Sequence, residues 1–155
     1  VLTRLEKLDR GEYGALVLAA AGIKRLGLWE RVNRPLEPAE MLPASCQGIL
    51  AVQGRAGEDY SYLSAYCDRD AWDCSRGERA FIRRLDCGCG APVGVYGELS
   101  GDKLILRGMI AQGGALHEEA VAGDRRDADT LGCELAEILL ERSGANWSVP
   151  EKSFS

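Results

Sequence analysis

Two thiols, Cys87 and Cys89, stand in a run of small residues, Cys87-Gly88-Cys89-Gly90-Ala91-Pro92. Glycine carries no Cβ, so backbone and side chains of such a loop can approach a ligand closely. Three readings suit it: a thiol alkylated once and kept as a covalent anchor, a redox pair, or a turn that needs glycine and merely contains cysteine. The run follows a predicted helix C-terminus, which raises a thiol's pKa, and no histidine is near in sequence, so a thiolate that cycles at every turnover is disfavoured. Arg83 and Arg84, just before the loop, offset part of that effect. C-x-C is a strained disulfide spacing and lacks the C-x-x-C pattern of thiol oxidoreductases. With no second cysteine pair and His117 as the single histidine, it also lacks the spacing of a tetrahedral zinc site. Arg4, Lys24 and Arg25 are the other candidates, because an arginine fork matches a carboxylate. His117, beside Glu118 and Glu119, reads as exposed and structural, and Trp29, Trp72 and Trp147 are too scattered for a stacking platform.

The chain that must position these groups has 155 residues, 46% hydrophobic, 28% charged and 6% aromatic. That is the composition of an ordinary globular protein with a core, outside the disordered, fibrous and membrane classes. Nineteen Lys and Arg against twenty-four Asp and Glu give a net charge of -5, which argues against nonspecific binding to nucleic acid or an anionic membrane. Nineteen glycines exceed the usual ~7% share and point to many tight turns. The six cysteines come without a signal-peptide pattern, so a reducing, cytoplasmic compartment is expected. The longest apolar run, residues 15–21, is far short of the ~20 needed to span a bilayer.

Thr3 and Glu6 form a T-x-x-E capping box, which predicts a short helix closed by Gly11. Residues 15–21 predict a buried strand, residues 23–28 a helical turn, and residues 49–53 (ILAVQ) a lone strand in need of a sheet. Pro35, Pro38 and Pro43 punctuate a linker between them. Residues 58–67 and 70–85 predict two helices, the second capped by Asp70 and striped by Cys74, Gly77 or Glu78, Phe81 and Leu85. Residues 93–99, 104–111 and 116–122 alternate as strands joined by Ser-Gly-Asp and Gln-Gly-Gly turns, an antiparallel meander. Asp127 then caps a helix with Leu131, Leu135, Ile138, Leu139 and Arg142 at helical spacing, stopped by Gly144, and the tail from Asn146 is expected to fray. The fold class is α+β: a C-terminal domain with a three-stranded antiparallel sheet packed against helices, preceded by a partial α/β segment.

Three segments together, TRLEKLDRGEYGALVLAAAGIKRLGL, LPASCQGILAV and ERAFIRRLDCGCGAPVGVYGEL, give the chain a family likeness. It resembles the hydroxymethylbilane synthase, or porphobilinogen deaminase, family over nearly its whole length. The ERAF-x-R-x-L-x-x-G-C-x-x-P-x-G block at residues 78–94 is the most specific piece, similar to the family's cofactor-attachment loop. The resemblance implies a transferase of heme biosynthesis that links four porphobilinogen molecules, losing ammonia each time, on a dipyrromethane cofactor held by a cysteine thioether.

By position the resemblance makes Cys89 that anchor, with Cys87 where the family usually has glycine. It gives Arg4 and Arg25 the acetate and propionate groups of the pyrroles to hold, places Leu18, Ala19 and Gly22 along the pyrrole site, and makes Gln47 the glutamine of a P-A-x-x-Q-G hinge in which Cys46 replaces a glycine. Three segments follow from it: 1–42 as the C-terminal part of the family's domain 2, 43–57 as the hinge and the strand returning to domain 1, and 58–155 as the cofactor-carrying domain 3. The family's catalytic aspartate has no counterpart here, so this chain alone is expected to be inactive and to need the missing N-terminal half as partner. The family's full-length enzyme is expected to be a monomer, whereas this chain could pair with a second copy through exposed strand edges. The alternative is a non-catalytic tetrapyrrole-binding or carrier module.

Overall fold

The computed structural model describes residues 1–88 and 90–145. By internal packing the chain divides into two units, Val1–Glu37 and Pro38–Ser155, and the division falls inside the proline-punctuated linker.

The first unit is small and helical. Helix α1 (Leu2–Asp9) buries Leu5, and helix α2 (Ala20–Arg25) buries Ile23. A 3-10 turn at Trp29–Arg31 is tied back to α1 by Arg31, whose Nη2 donates to Asp9 Oδ1 at 2.5 Å. Lys24 Nζ sits 4.6 Å from the centre of the Trp29 ring, a cation–π contact. The predicted capping box does not form. The carbonyl of Val1 already accepts from the amides of Arg4 and Leu5, so Val1 is the cap residue and Thr3 lies inside the helix.

Two predicted strands are corrected. Residues 15–19 form neither helix nor strand, and Ala20 and Ala21 open α2. Residues 49–53 pair with nothing among the described residues, leaving Leu50 90% and Val52 77% exposed. Both runs have strand-like composition, but a strand exists only where a second backbone offers partners, and none among the described residues pairs with them. The helix predicted over 58–67 is a 3-10 segment at Ser61–Tyr66 whose opening is held by Asp59, Oδ1 accepting from the Ser61 amide at 2.8 Å.

The second unit carries the main core. Strands β1 (Val93–Ser100), β2 (Lys103–Gln112) and β3 (Ala115–Asp124) form an antiparallel sheet in the order β1-β2-β3. Val95 lies opposite Gly108, Leu106 opposite Val121, and Ile110 opposite His117. Positive φ at both Gly113 and Gly114 is what a two-residue hairpin turn needs. Helices α3 (Arg69–Leu85) and α4 (Ala128–Ser143) cover one face of the sheet. Phe81, Val95, Leu104, Leu106, Ile110, Leu135 and Leu139 are fully buried between the layers, each burial adding roughly 1.5–3 kcal/mol before entropy.

The α3 cap is Asp68 rather than Asp70: its Oδ1 accepts from the amides of Asp70 and Ala71, the donors that a cap one residue before the helix can reach. Asp127 precedes α4 without a side-chain cap bond; the adjacent Asp124 instead accepts from the Arg126 amide at 2.9 Å. Gly144 ends α4 in the left-handed conformation. His117 is half-buried and shares the helix-facing side of β3 with Val121, not exposed as its sequence context implies. The tail from Asn146, Trp147 included, lies outside the described residues.

An arginine–aspartate lattice rims this core. Arg125 reaches Asp73 at 2.7 Å and Asp70 at 2.6 Å, Arg76 holds Asp129 through Nε and Nη2, and Arg142 pairs with Glu119. Half-exposed pairs of this kind contribute roughly 0–1 kcal/mol each, so the apolar layer dominates stability.

Candidate functional site

The loop at 86–92 is fixed at both ends. Asp86 closes α3 in the left-handed region, φ 49°, and donates its amide to Arg83 O at 3.3 Å. On the far side Ala91 N donates to Gly88 O at 2.9 Å, and Pro92 O accepts from Ala111 N at the end of β2, also at 2.9 Å. Cys87 is half-buried and packs against the core. Cys89 lies outside the described residues, but its flanks are described: Gly88 and Gly90 are exposed, and a Cβ built on either meets nothing within 4 Å. A loop pinned at both ends, with Gly88 and Gly90 exposed and free of close neighbours, leaves room at those two positions for a bulky thioether-linked group. Arg83 and Arg84 are not free to steady a thiolate here, since they donate to Asp129 and Glu137 of α4, both at 3.1 Å.

Gln47 sits on a second fixed turn. Its amide donates to Ala44 O, Ile49 N donates to Cys46 O, and Cys46 itself adopts φ 60°, unusual for a residue with a side chain. This turn is docked on the edge of β1, where Val95 N donates to Pro43 O at 3.0 Å. Glu78 completes the docking. It is 3% exposed, its Oε1 accepting from Gly97 N at 2.8 Å and its Oε2 from Cys46 N at 2.5 Å. Burial pushes its carboxyl above the ordinary range, and the two amide donors pull part of the way back. Nothing in the sequence reading gave Glu78 a role; the available signal was an acidic residue on the apolar stripe of α3.

The remaining candidates belong to the first unit. Arg4 on α1 and Arg25 at the end of α2 are exposed, Ala19 is the cap residue of α2, and Leu18 and Gly22 are half-buried. The other basic side chains of this unit are engaged: Lys7 and Arg10 with Glu12, Arg31 with Asp9, Lys24 on Trp29, and Arg34 in a contact of its own. Among the described residues Arg4 and Arg25 have no such partner, which leaves both forks available to an external carboxylate.

The other thiols differ in exposure, Cys67 being exposed and Cys46, Cys74 and Cys133 half-buried. Cys74 on α3 is pushed up to about 11 by burial, then by the charges of Glu78, Asp70 and Asp73. Alkylation at pH 8 should therefore reach exposed Cys67 first and Cys74 last, which peptide mapping over a time course will read. Early labelling of Cys74 in folded protein would contradict its packing. Among the described residues no three His, Cys, Asp or Glu side chains gather as a metal site, and no helix is long and apolar enough to cross a membrane.

Comparison with known proteins matches both halves of the chain. Residues 1–62 fit the family model described as porphobilinogen deaminase, dipyromethane cofactor binding domain, and residues 72–141 the model described as porphobilinogen deaminase, C-terminal domain. The porphobilinogen deaminase of Alkaliphilus oremlandii is 49% identical over 137 residues, which are 88% of this chain and 46% of that protein. That of Acetivibrio thermocellus is 47% identical over 146 residues, 94% of this chain and 50% of that protein, and that of Nostoc 42% identical over 144 residues, 90% and 45%. The chain thus spans about half the length of the curated relatives it matches. With two models of one family running in succession through both units, the chain belongs to the porphobilinogen deaminase family.

Proposed function

We propose that the chain is the C-terminal portion of a hydroxymethylbilane synthase, carrying the dipyrromethane cofactor on Cys89 and working with an N-terminal half that supplies the rest of the active site. The observation that carries this is the 86–92 loop, a thiol between two open glycines within the family's cofactor-attachment motif. The bound dipyrromethane would supply a primer to which porphobilinogen units are joined head to tail with loss of ammonia.

This chain's own residues bind and orient. Cys89 would hold the group as a thioether: its S–H would add across the exocyclic double bond of a pyrrole methylene from which ammonia has already left, the sulfur bonding the carbon and the proton passing to the pyrrole nitrogen, after which the sulfur is only an anchor. Arg4 and Arg25, unpaired among the described residues, hold acetate and propionate carboxylates of the growing chain. Leu18, Ala19 and Gly22 line the pyrrole site, and Gln47 is the glutamine of the hinge. The exposed apolar run at 49–53 supports a partner that completes a sheet around it. Without the family's catalytic aspartate the chain alone does not turn over porphobilinogen. A reducing, cytoplasmic compartment suits the unmodified thiols.

The test is the intact mass of the purified chain under denaturing conditions, followed by peptide mapping across residues 84–107. The expected result is an added dipyrromethane, with no porphobilinogen consumption by the chain alone. An unmodified mass even after co-expression with the N-terminal half of the Alkaliphilus oremlandii relative would overturn the anchor, and turnover by the isolated chain would overturn the need for a partner.

A further inference from the structure

We propose that Glu78 is a positioning residue whose carboxylate clasps the 43–48 turn against β1, so that Gln47 is presented by the C-terminal unit as a fixed group rather than by a loose hinge. The role of Gln47 rests on the functional reading above; the clasp rests on geometry alone.

The two oxygens of one buried side chain serve two separate backbones, Gly97 on β1 and Cys46 on the turn. Only a carboxylate can do this, because it is acceptor-only at both oxygens, whereas a glutamine would aim an N–H at one of the two donors. A residue needed merely to fill the α3 stripe would be apolar, as Phe81 and Leu85 are, and a buried carboxylate survives only where its oxygens are satisfied.

The surrounding contacts hold the same two surfaces together. Val95 N reaches Pro43 O at 3.0 Å, and Gly94 permits the approach, since a Cβ there would stand 3.0 Å from Leu42 O and 3.1 Å from Pro43 O. Cys46 at φ 60° turns its amide toward Glu78 and sends the chain on into Gln47, so the clasp acts one residue from the side chain it positions. Beyond the turn Leu50 and Val52 are bare, whereas residues 43–48 are held to β1 through Pro43 and Cys46. The pivot of the segment assigned by resemblance as a hinge therefore begins after Gly48, and residues 43–48 travel with β1.

Backbone hydrogen exchange on the 155-residue chain tests this. In the wild type the amides of Cys46 and Gly97 should exchange far more slowly than those of residues 50–54; a Cys46 amide as fast as that segment would overturn the clasp without any variant. In Glu78→Gln, exchange across residues 43–48 should rise about tenfold while residues 128–143 keep their rate, as expected for loss of one charge-assisted bond. Unchanged exchange at 43–48 would overturn it. Porphobilinogen binding, followed in wild type, Glu78→Gln and Gln47→Ala, tests the positioning. Parallel weakening by both variants supports it, and weakening by Gln47→Ala alone overturns it. Equal binding by Gln47→Ala overturns the assigned role of Gln47, whereas the exchange rates still decide the clasp.

Discussion

Chains carrying Gly132→Ala should unfold at a urea midpoint lower by roughly 1 M, a loss of about 2 kcal/mol or more at a typical slope near 2 kcal/mol/M. Gly132 lies on α4 where it crosses α3, and a Cβ there would stand 2.2 Å from Gly77 O, 2.8 Å from Ala80 Cβ and 2.9 Å from Phe81 N. Two of those three atoms are backbone of a helix, so no rotamer change relieves the clash and the helices must separate. Alanine improves intrinsic helix propensity by about 1 kcal/mol, which opposes the effect. Overpacking costs ~1–3 kcal/mol where side chains can move and more where they cannot, so the clash wins. Gly90→Ala is the matched control: its Cβ meets nothing within 4 Å, and it should leave the midpoint unchanged within about 0.5 kcal/mol. Equal midpoints for Gly132→Ala and the wild type would mean that the two helices do not approach as closely as drawn.

Gly132 also shows where glycine counting misleads. The excess of glycine points to turns, and Gly101, Gly113 and Gly114 are in turns with positive φ, but Gly77, Gly108 and Gly132 are inside elements because neighbours press against their Cα atoms. A count cannot separate the two uses; a crossing of specific helices can. The meander and its two covering helices were legible because their determinants are local. Alternation on β2 buries Leu104, Leu106 and Ile110, and a 3.6-residue stripe on α4 buries Leu131, Leu135 and Leu139. Residues 15–21 and 49–53 misled for the complementary reason. Their composition encodes a willingness to be strands, but no backbone among the described residues pairs with them as a strand.

At the candidate site the chemistry was more legible than its support. The thiol loop announces itself by composition and by its resemblance to a known motif. That Arg4 and Arg25 remain unpaired while Arg31 is spent on Asp9 depends on which carboxylates fold beside them. Arg83 and Arg84 illustrate the same limit, because their position in the last turn of α3 suggests help for a neighbouring thiolate, and α4, more than forty residues later, claims both. Glu78 was hidden by its charge: acidic residues on helices are mostly solvated, and only the docked turn at Cys46 and the edge of β1 explain why this one is buried.

Replacing Cys89 with serine should abolish the covalent adduct completely, while Cys87→Ala should keep it. Thioether formation requires a sulfur that can lose its proton near neutral pH, and a serine hydroxyl without an activating base is a far weaker nucleophile, so no residual attachment is expected. The surroundings of Cys87 disfavour a substituent. Cys87 is half-buried, packs against the core and makes a contact of its own, so a bulky substituent there would displace packed atoms. Cys89 stands between two glycines that face open space. Intact-mass measurement of both variants, produced beside the wild type under conditions that load it, separates the sites in one experiment. An adduct surviving in Cys89→Ser and lost in Cys87→Ala would move the anchor to Cys87 and require the core contact of that residue to open before attachment. Loss in both variants would mean that attachment at this loop needs both thiols, which a single thioether anchor does not.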